Sequence, residues 1–323
     1  MKKMVALALA LLMLLGVGLA SAETLQIAYM PNYASLWSVV TGINKGFFEE
    51  EGLTVNLVEF ADGPTIIAAM ESGSIDMGYI GPGAHKLCIN GRAKIFMLSQ
   101  LGNADAVLAR KSAGINTYAD LKGKKVGYAS GTSSEMILQY ALEEVGLTMD
   151  DIQAYEMEAS ALVTAMLSKS IDACAAWSPN TGIMRAQDSD IEVLCTNTSF
   201  AYRSVSPASW IVLNGYYENN RDIVVRFCRA LYKAMDYGSN PDNFNDVATW
   251  VAQQCGTDLD VALSQTGDAA WPASAEIVAG AQDGTIEGYY KVQQDAFIAS
   301  GAVEKEVPVS DYVLFDVMVE AAQ

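Results

Sequence analysis

The chain contains one pattern of residues twice, and that duplication restricts its architecture more than any other feature. Ala69-Met70-Glu71-Ser72-Gly73-Ser74-Ile75-Asp76 returns 96 residues later as Ala165-Met166-Leu167-Ser168-Lys169-Ser170-Ile171-Asp172, a shared A-M-x-S-x-S-I-D. Upstream, Glu49-Glu50-Glu51-Gly52-Leu53-Thr54 returns as Glu143-Glu144-Val145-Gly146-Leu147-Thr148. Further upstream, the alternating Leu25–Tyr29 has its counterpart in Lys125–Tyr128, so three matches keep one order and nearly one spacing. Under periodicity rules each copy reads as strand, turn, amphipathic helix, strand, helix and strand. The second helices are expected at Pro64–Ser72 and Ser160–Ser168, with Pro64 at a first helical position that loses nothing by lacking an N–H. Strands alternating with helices predict an α/β fold of two lobes, each a mostly parallel sheet flanked by helices.

From Ala208 onward the motifs do not recur. A strand at Ser209–Leu213 and helices at Arg221–Gly238, Asn243–Cys255 and Thr285–Ala299 are expected there, completing the first lobe. That makes lobe I discontinuous, 23–107 plus 208–323, with lobe II at 108–207. A chain that crosses twice between lobes, here near Leu108 and Ser206, forms a natural hinge.

In open α/β sheets the ligand crevice lies beyond the carboxyl ends of the strands. The candidate ligand-binding residues are therefore those just after each strand. Asn32, Tyr33 and Ser35 follow the first strand, as contacts or as plain turn residues. Ser130, Gly131, Thr132 and Ser133 follow the equivalent strand of the second copy and open a helix, whose unpaired N–H groups and positive dipole end attract an anion. Thr132-x-x-Glu135 also fits a simple capping box. The third strands end at Gly81-Pro82-Gly83 and at Trp177-Ser178-Pro179. The glycines admit close backbone approach, and the indole of Trp177 offers an apolar wall or a core aromatic. Gln100 could supply an amide donor or close a turn, and Ser209 and Trp210 sit where the chain re-enters lobe I.

Enzyme readings find little to stand on. His85 is the single histidine, so His-dependent triads and multi-His metal sites are excluded unless that residue carries them alone, and after Gly83-Ala84 it reads as a helix-start or pocket-rim residue rather than a catalyst. Neither G-x-G-x-x-G after a strand nor G-x-x-x-x-G-K-[ST] occurs, so no nucleotide cradle is visible. Asp76 and Asp172 recur through the duplication and read as strand-entry turn residues rather than an acid/base pair. No catalytic residue, metal or cofactor is expected. The formal charge of −18 repels phosphate backbones, which argues against nucleic-acid partners. Five cysteines without C-x-x-C spacing leave pairing of Cys228 with Cys255, or of Cys174 with Cys195, open beside buried free thiols.

The beginning of the chain reads as an address. Lys2-Lys3, an apolar run to Leu19 and Ala20-Ser21-Ala22 have the order of a cleavable secretory signal, expected over residues 1–22. The first cysteine is Cys88, so the usual lipid attachment at a new N-terminal cysteine is unavailable, and a soluble periplasmic protein is expected.

With these residues in view, the chain resembles the aliphatic-sulfonate and taurine-binding proteins, in the wider group that also serves nitrate, riboflavin and thiamine-precursor pyrimidines. Val58–Pro64 through Gly73–Gly78, Thr117–Gly127 with Gly131–Ser134, and Ile171–Trp177 before Ser178-Pro179 carry the resemblance, which spans residues 24–315. It implies a type II periplasmic-binding fold with the ligand in the inter-lobe cleft. It also implies a monomeric solute-binding protein of an ABC importer, delivering a small organic anion to a membrane permease served by a cytoplasmic ATPase. It supports ligand contact at Gly131, Thr132, Ser133 and Trp177. An aliphatic sulfonate leads, with taurine or nitrate in the same class. Taurine binders of the group would be expected to offer a carboxylate to the ammonium, and Pro207-Ala208-Ser209 holds none. The alternatives are a heteroaromatic solute, such as a pyrimidine thiamine precursor or riboflavin, and a cofactor-biosynthesis enzyme on the same fold.

Overall fold

The computed structural model describes residues 22–323 apart from 103, 202 and 204; residues 1–21, nearly all of the expected export signal, lie outside that set. Among the described residues, ten strands form two five-stranded sheets of one design. The first holds β1 (Glu23–Tyr29), β2 (Leu53–Glu59), β3 (Met77–Ile80), β4 (Lys94–Leu101) and β10 (Pro207–Val212), in the order β2-β1-β3-β10-β4. The second holds β5 (Ala106–Arg110), β6 (Lys125–Tyr128), β7 (Gln153–Glu156), β8 (Ala173–Ala176) and β9 (Ile191–Thr196), in the order β7-β6-β8-β5-β9. β1 pairs in parallel with β2 and β3, as β6 does with β7 and β8.

The mostly parallel sheets read from the repeat are present, with one addition. In each, the fourth strand runs against its neighbours, and it is the strand that has just arrived from the other sheet. β10 is antiparallel to β3 and β4, and β5 to β8 and β9. Both reversals lie outside the duplicated motifs, which is why the pattern could not announce them. The chain thus changes sheet twice, between Leu101 and Ala106 and between Thr196 and Pro207.

The shared motif is explained by what its residues do. The second helices end at Glu71 and Leu167. Past each end, two serines turn their hydroxyls back onto one helix carbonyl, Ser72 and Ser74 onto Ala69 O, and Ser168 and Ser170 onto Ala165 O. The aspartates then clip the third strand to the first. Asp76 Oδ2 accepts from the Gln26 N–H (2.7 Å) and the Asp76 N–H donates to Gln26 O (2.9 Å). Asp172 does the same with both main-chain groups of Lys125, at 2.9 and 2.8 Å. Their carboxylates set strand register. Gly73, at φ +80°, is matched in the second copy by Lys169 at φ +60°, a left-handed position held there by a side chain that rarely adopts it.

The last third closes over the first sheet. The helix Arg221–Gly238 buries Ile223, Val224, Phe227, Leu231 and Ala234 along one stripe, the spacing of an amphipathic helix against a core. Its outer edge pairs Arg229 with Glu51 (2.9 Å) and Lys233 with Glu50 (2.9 Å), fastening late residues to the first helix–strand turn. All five cysteines are free thiols, so neither Cys228–Cys255 nor Cys174–Cys195 is bridged. Cys174 lies against Met184 and Cys228 against Met97, both in the core. No helix among the described residues is long and apolar enough to cross a membrane.

Candidate functional site

The carboxyl ends of the two sheets face each other. A small cavity of about 10 Å³ lies between them, lined by Met30, Gly63, Gly81 and Ala84 from one side and Thr132, Ser133 and Trp177 from the other. It adjoins, through Met30 and Trp177, a wider cleft of about 280 Å³ bordered by Asn32, Phe60, Ala159 and Asn180. The loops after β1, β2 and β3 meet those after β6, β7 and β8, as expected for open α/β sheets.

The two halves touch. A β-carbon added at Gly83 would lie 2.0 Å from the Thr132 carbonyl carbon and 2.3 Å from the Ser133 nitrogen, so the turn Pro82–Ala84 lies flat on that peptide. Gly131, at φ +75°, requires glycine for its own backbone, and a β-carbon there would come within 2.9 Å of Pro64 Cγ. Lys86 reaches across to Glu135 at 3.2 Å. The inner cavity has room for about one water molecule. The halves are thus in direct contact across the cleft.

The start of the helix Ser133–Glu143 is not an open anion cradle. Thr132 caps it, accepting from the Ser134 N–H and donating its own proton to Ala129 O (2.7 Å). Glu135 folds back to accept from the Gly131 N–H at 2.8 Å while Thr132 takes the Ser134 N–H, so the reciprocal capping box that the Thr132-x-x-Glu135 spacing allows does not form. Ser133 donates to Asp105 Oδ1 at 2.6 Å. The first half repeats the scheme with Asn32 as cap, accepting from Ser35 N, and with Ser35 Oγ accepting from Met30 N; in the second half Ser134 Oγ accepts from Ala129 N.

Of the residues singled out from sequence, the fold brings Gly81, Thr132, Ser133 and Trp177 to the inner cavity and Asn32 to the cleft beside it. Trp177, 5% exposed, packs with Ala129 and Ala159 in a small apolar cluster apart from either core. Pro82 and Gly83 form the contact with the other half, and Ser130 is half-buried beside Gly131. The others lie elsewhere. Tyr33 is fully buried against Trp271, with ring centroids 5.1 Å apart, and burial pushes its phenol up. Ser35 is committed to Met30, Gln100 donates to the Tyr79 hydroxyl, and Ser209 shares a 2.7 Å hydrogen bond with Tyr290. Trp210 is a fully buried core residue between Tyr79 and Phe227. Sequence reasoning missed Asp105, which has no motif around it and lies on the crossing from β4 to β5, and the rim carboxylates Glu59 and Glu158. A carboxylate does exist at a crossing, but at the one opposite Pro207-Ala208-Ser209.

His85, two residues past Gly83, steadies this wall from behind. Gln293 Nε2 donates to Pro82 O (3.0 Å), so its Oε1 accepts from the His85 Nδ1–H at 2.7 Å. The imidazole is fully buried and neutral, its pKa lowered by desolvation from 6.5 to about 4. The unfolded chain therefore binds one more proton than the folded one between those values. Stability present above pH 6.5 should be lost as pH falls toward 4, with a slope approaching about 1.4 kcal/mol per pH unit. Carboxylates held low by partners, such as Glu51, add their share only below about 4.5. Urea titrations from pH 7 to 5 should show this slope in the native protein and a nearly flat line in His85→Gln. An unchanged slope would assign the proton elsewhere.

Comparison with known proteins gives a consistent picture. The profile of the family described as NMT1/THI5 like matches residues 35–243. A putative binding protein of Brucella abortus (strain 2308) is 31% identical over 312 residues, 96% of each chain. The taurine-binding periplasmic protein of Escherichia coli (strain K12) is 25% identical over 201 residues, 61% of each chain. Among solved structures, the alkanesulfonate-binding protein SsuA from Xanthomonas axonopodis pv. citri, bound to MOPS, superposes with a TM-score of 0.70 at 23% identity, over 91% of this chain and 99% of that one.

Proposed function

Since the chain belongs to the NMT1/THI5-like family, we propose that it is the extracytoplasmic solute-binding protein of an ABC importer, capturing an aliphatic sulfonate or a related small organic anion. The observation that carries the reading is the cleft between the tips of twin sheets, where a helix start at Thr132 and Ser133 faces the Trp177 indole. Relatives named for taurine and aliphatic sulfonates support the solute class. The anionic head lies toward the Ser130–Ser134 turn, drawn by the helix dipole, and the organic part lies on Trp177. Closure about the two crossings then excludes water, with 23–107 plus 208–323 moving as one lobe and 108–207 as the other. The loaded protein, a monomer released into the periplasm after removal of residues 1–22, docks on a permease driven by a cytoplasmic ATPase. It performs no chemistry on its cargo.

Calorimetry of the ligand-free protein against alkanesulfonates, nitrate, pyrimidines and flavins tests the class. Micromolar or tighter binding of a sulfonate is expected. Binding of a pyrimidine or flavin with no response to any sulfonate would replace this reading by the heteroaromatic one. Trp177→Ala should weaken the sulfonate by roughly 10–100-fold, the loss usual for a buried aromatic anchor. Unchanged affinity would remove the indole from the site.

A further inference from the structure

We propose that an outer pocket walled by Trp271 is a second binding site, and that it takes a small aromatic cation, a ring carrying an ammonium group on a short arm. It shares no lining residue with either cavity between the sheets.

The pocket measures about 170 Å³ and lies where the edge strand β4 meets the helices Ser274–Asp283 and Thr285–Ala299. An apolar cavity of about that size accepts a benzene ring. Leu98, Ile277 and Ile286, each almost fully buried, give it an aliphatic lining, and the half-buried Trp271 and Tyr289 add aromatic surface. The Trp271 indole is pinned. Its Nε1 donates to Thr266 O at 2.7 Å, and its ring packs against Tyr33 and Trp37 with centroids 5.1 and 5.2 Å away, so it cannot swing in to fill the space. The two helices cannot draw closer either, since a β-carbon at Gly280 would already lie 2.8 Å from Ile286 Cγ1. The pocket is therefore preformed, and a ring entering it covers apolar surface with no cost of opening.

Charge sets the class of the occupant. The exposed Glu276 belongs to the lining, and its Oε2 accepts from the Ala273 N–H at 2.9 Å, which fixes the carboxylate there. No lysine, arginine or histidine lines the pocket among the described residues. The segment that supplies most of the lining is anionic over a long reach: between Lys233 and Lys291 the chain has nine aspartates and glutamates and no basic residue. The two flanking lysines are themselves paired, Lys233 with Glu50 and Glu51 and Lys291 with Asp295 and Glu306. An anion is repelled here, and a neutral ring gains only the apolar walls. A ring with an ammonium group gains those walls together with the Glu276 carboxylate and the π-electrons of Trp271 and Tyr289.

NMR titration of the full mature chain at low salt, read at the Trp271 indole N–H, would compare benzylamine with benzyl alcohol, which keeps the ring, and with butylamine, which keeps the charge. Benzylamine should bind with a dissociation constant below about 1 mM, about five- to tenfold tighter than either of the others. Glu276→Gln keeps an acceptor for Ala273 and removes the charge, so the advantage over benzyl alcohol should disappear while the alcohol still binds. Thr285→Trp places an indole at the pocket from an exposed position and should abolish binding of both ring compounds, with the unfolding midpoint as the check that the variant is folded. If it does not fold, Glu276→Gln decides alone. Benzylamine binding that is unchanged in these variants lies elsewhere on the protein and overturns the proposal. So do equal affinities of wild type for benzylamine and benzyl alcohol, butylamine binding as tight as that of benzylamine, and no response of the Trp271 signal to benzylamine up to about 10 mM.

Discussion

Gly83→Val should leave the protein folded and unable to close, with at least about a 100-fold loss of solute affinity, about 2.7 kcal/mol. A β-carbon at this position meets the Thr132–Ser133 peptide of the other half at 2.0–2.3 Å, well inside van der Waals contact. Gly83 is not among the glycines with positive φ, so its own backbone accepts a side chain. The clash is with main-chain atoms, which cannot rotate away as a flexible side chain could. The remaining relief is separation of the halves, and separation is what binding has to reverse. Small-angle scattering with and without saturating solute would read the effect directly: wild type contracts, the variant stays extended. Wild-type affinity in Gly83→Val would mean that the turn Pro82–Ala84 and the helix start do not meet in the bound state.

Trp210→Ala should have the opposite profile, a stability loss of roughly 3–5 kcal/mol with little change in the affinity of the folded protein. Trp210 lies on β10, the strand inserted between β3 and β4, and is fully buried. Its ring sits 5.9 Å from Tyr79 and 5.7 Å from Phe227, so truncation opens a cavity where the central sheet meets the helix Arg221–Gly238. The indole N–H has no hydrogen-bond partner among the described residues. Trp210→Phe, which keeps most of the ring and removes that unsatisfied donor, should therefore cost far less than alanine. Chemical unfolding of the two variants alongside calorimetry on the same samples separates the effects. Loss of affinity in Trp210→Phe without loss of stability would return this residue to the binding site.

The two tryptophans mark where sequence reading reached its limit. Both follow small residues near a strand end, and periodicity treats them alike. Trp177 ends up beyond its strand, on Ala129 and Ala159 at the cleft, and Trp210 inside its strand, under a helix that begins eleven residues later in the chain. The same holds for the two crossings. Asp105 on one and Pro207-Ala208-Ser209 on the other lie side by side only after β10 has paired with β4, so nothing near Asp105 in the chain marked it.

What the amino-acid sequence determined alone was everything that depends on neighbours in the chain. The duplicated order of strands and helices, the serines that close Glu71 and Leu167, the aspartates ahead of β3 and β8 and the cap at Thr132 all follow from spacings of a few residues. Tertiary structure decided the antiparallel fourth strands, the pressing of Gly83 onto Ser133 and the direction of the Ser133 proton. These depend on which distant groups share a surface once two sheets have folded against each other. A hydroxyl's proton goes to the best acceptor within about 3 Å, and here that acceptor is 28 residues away along the chain.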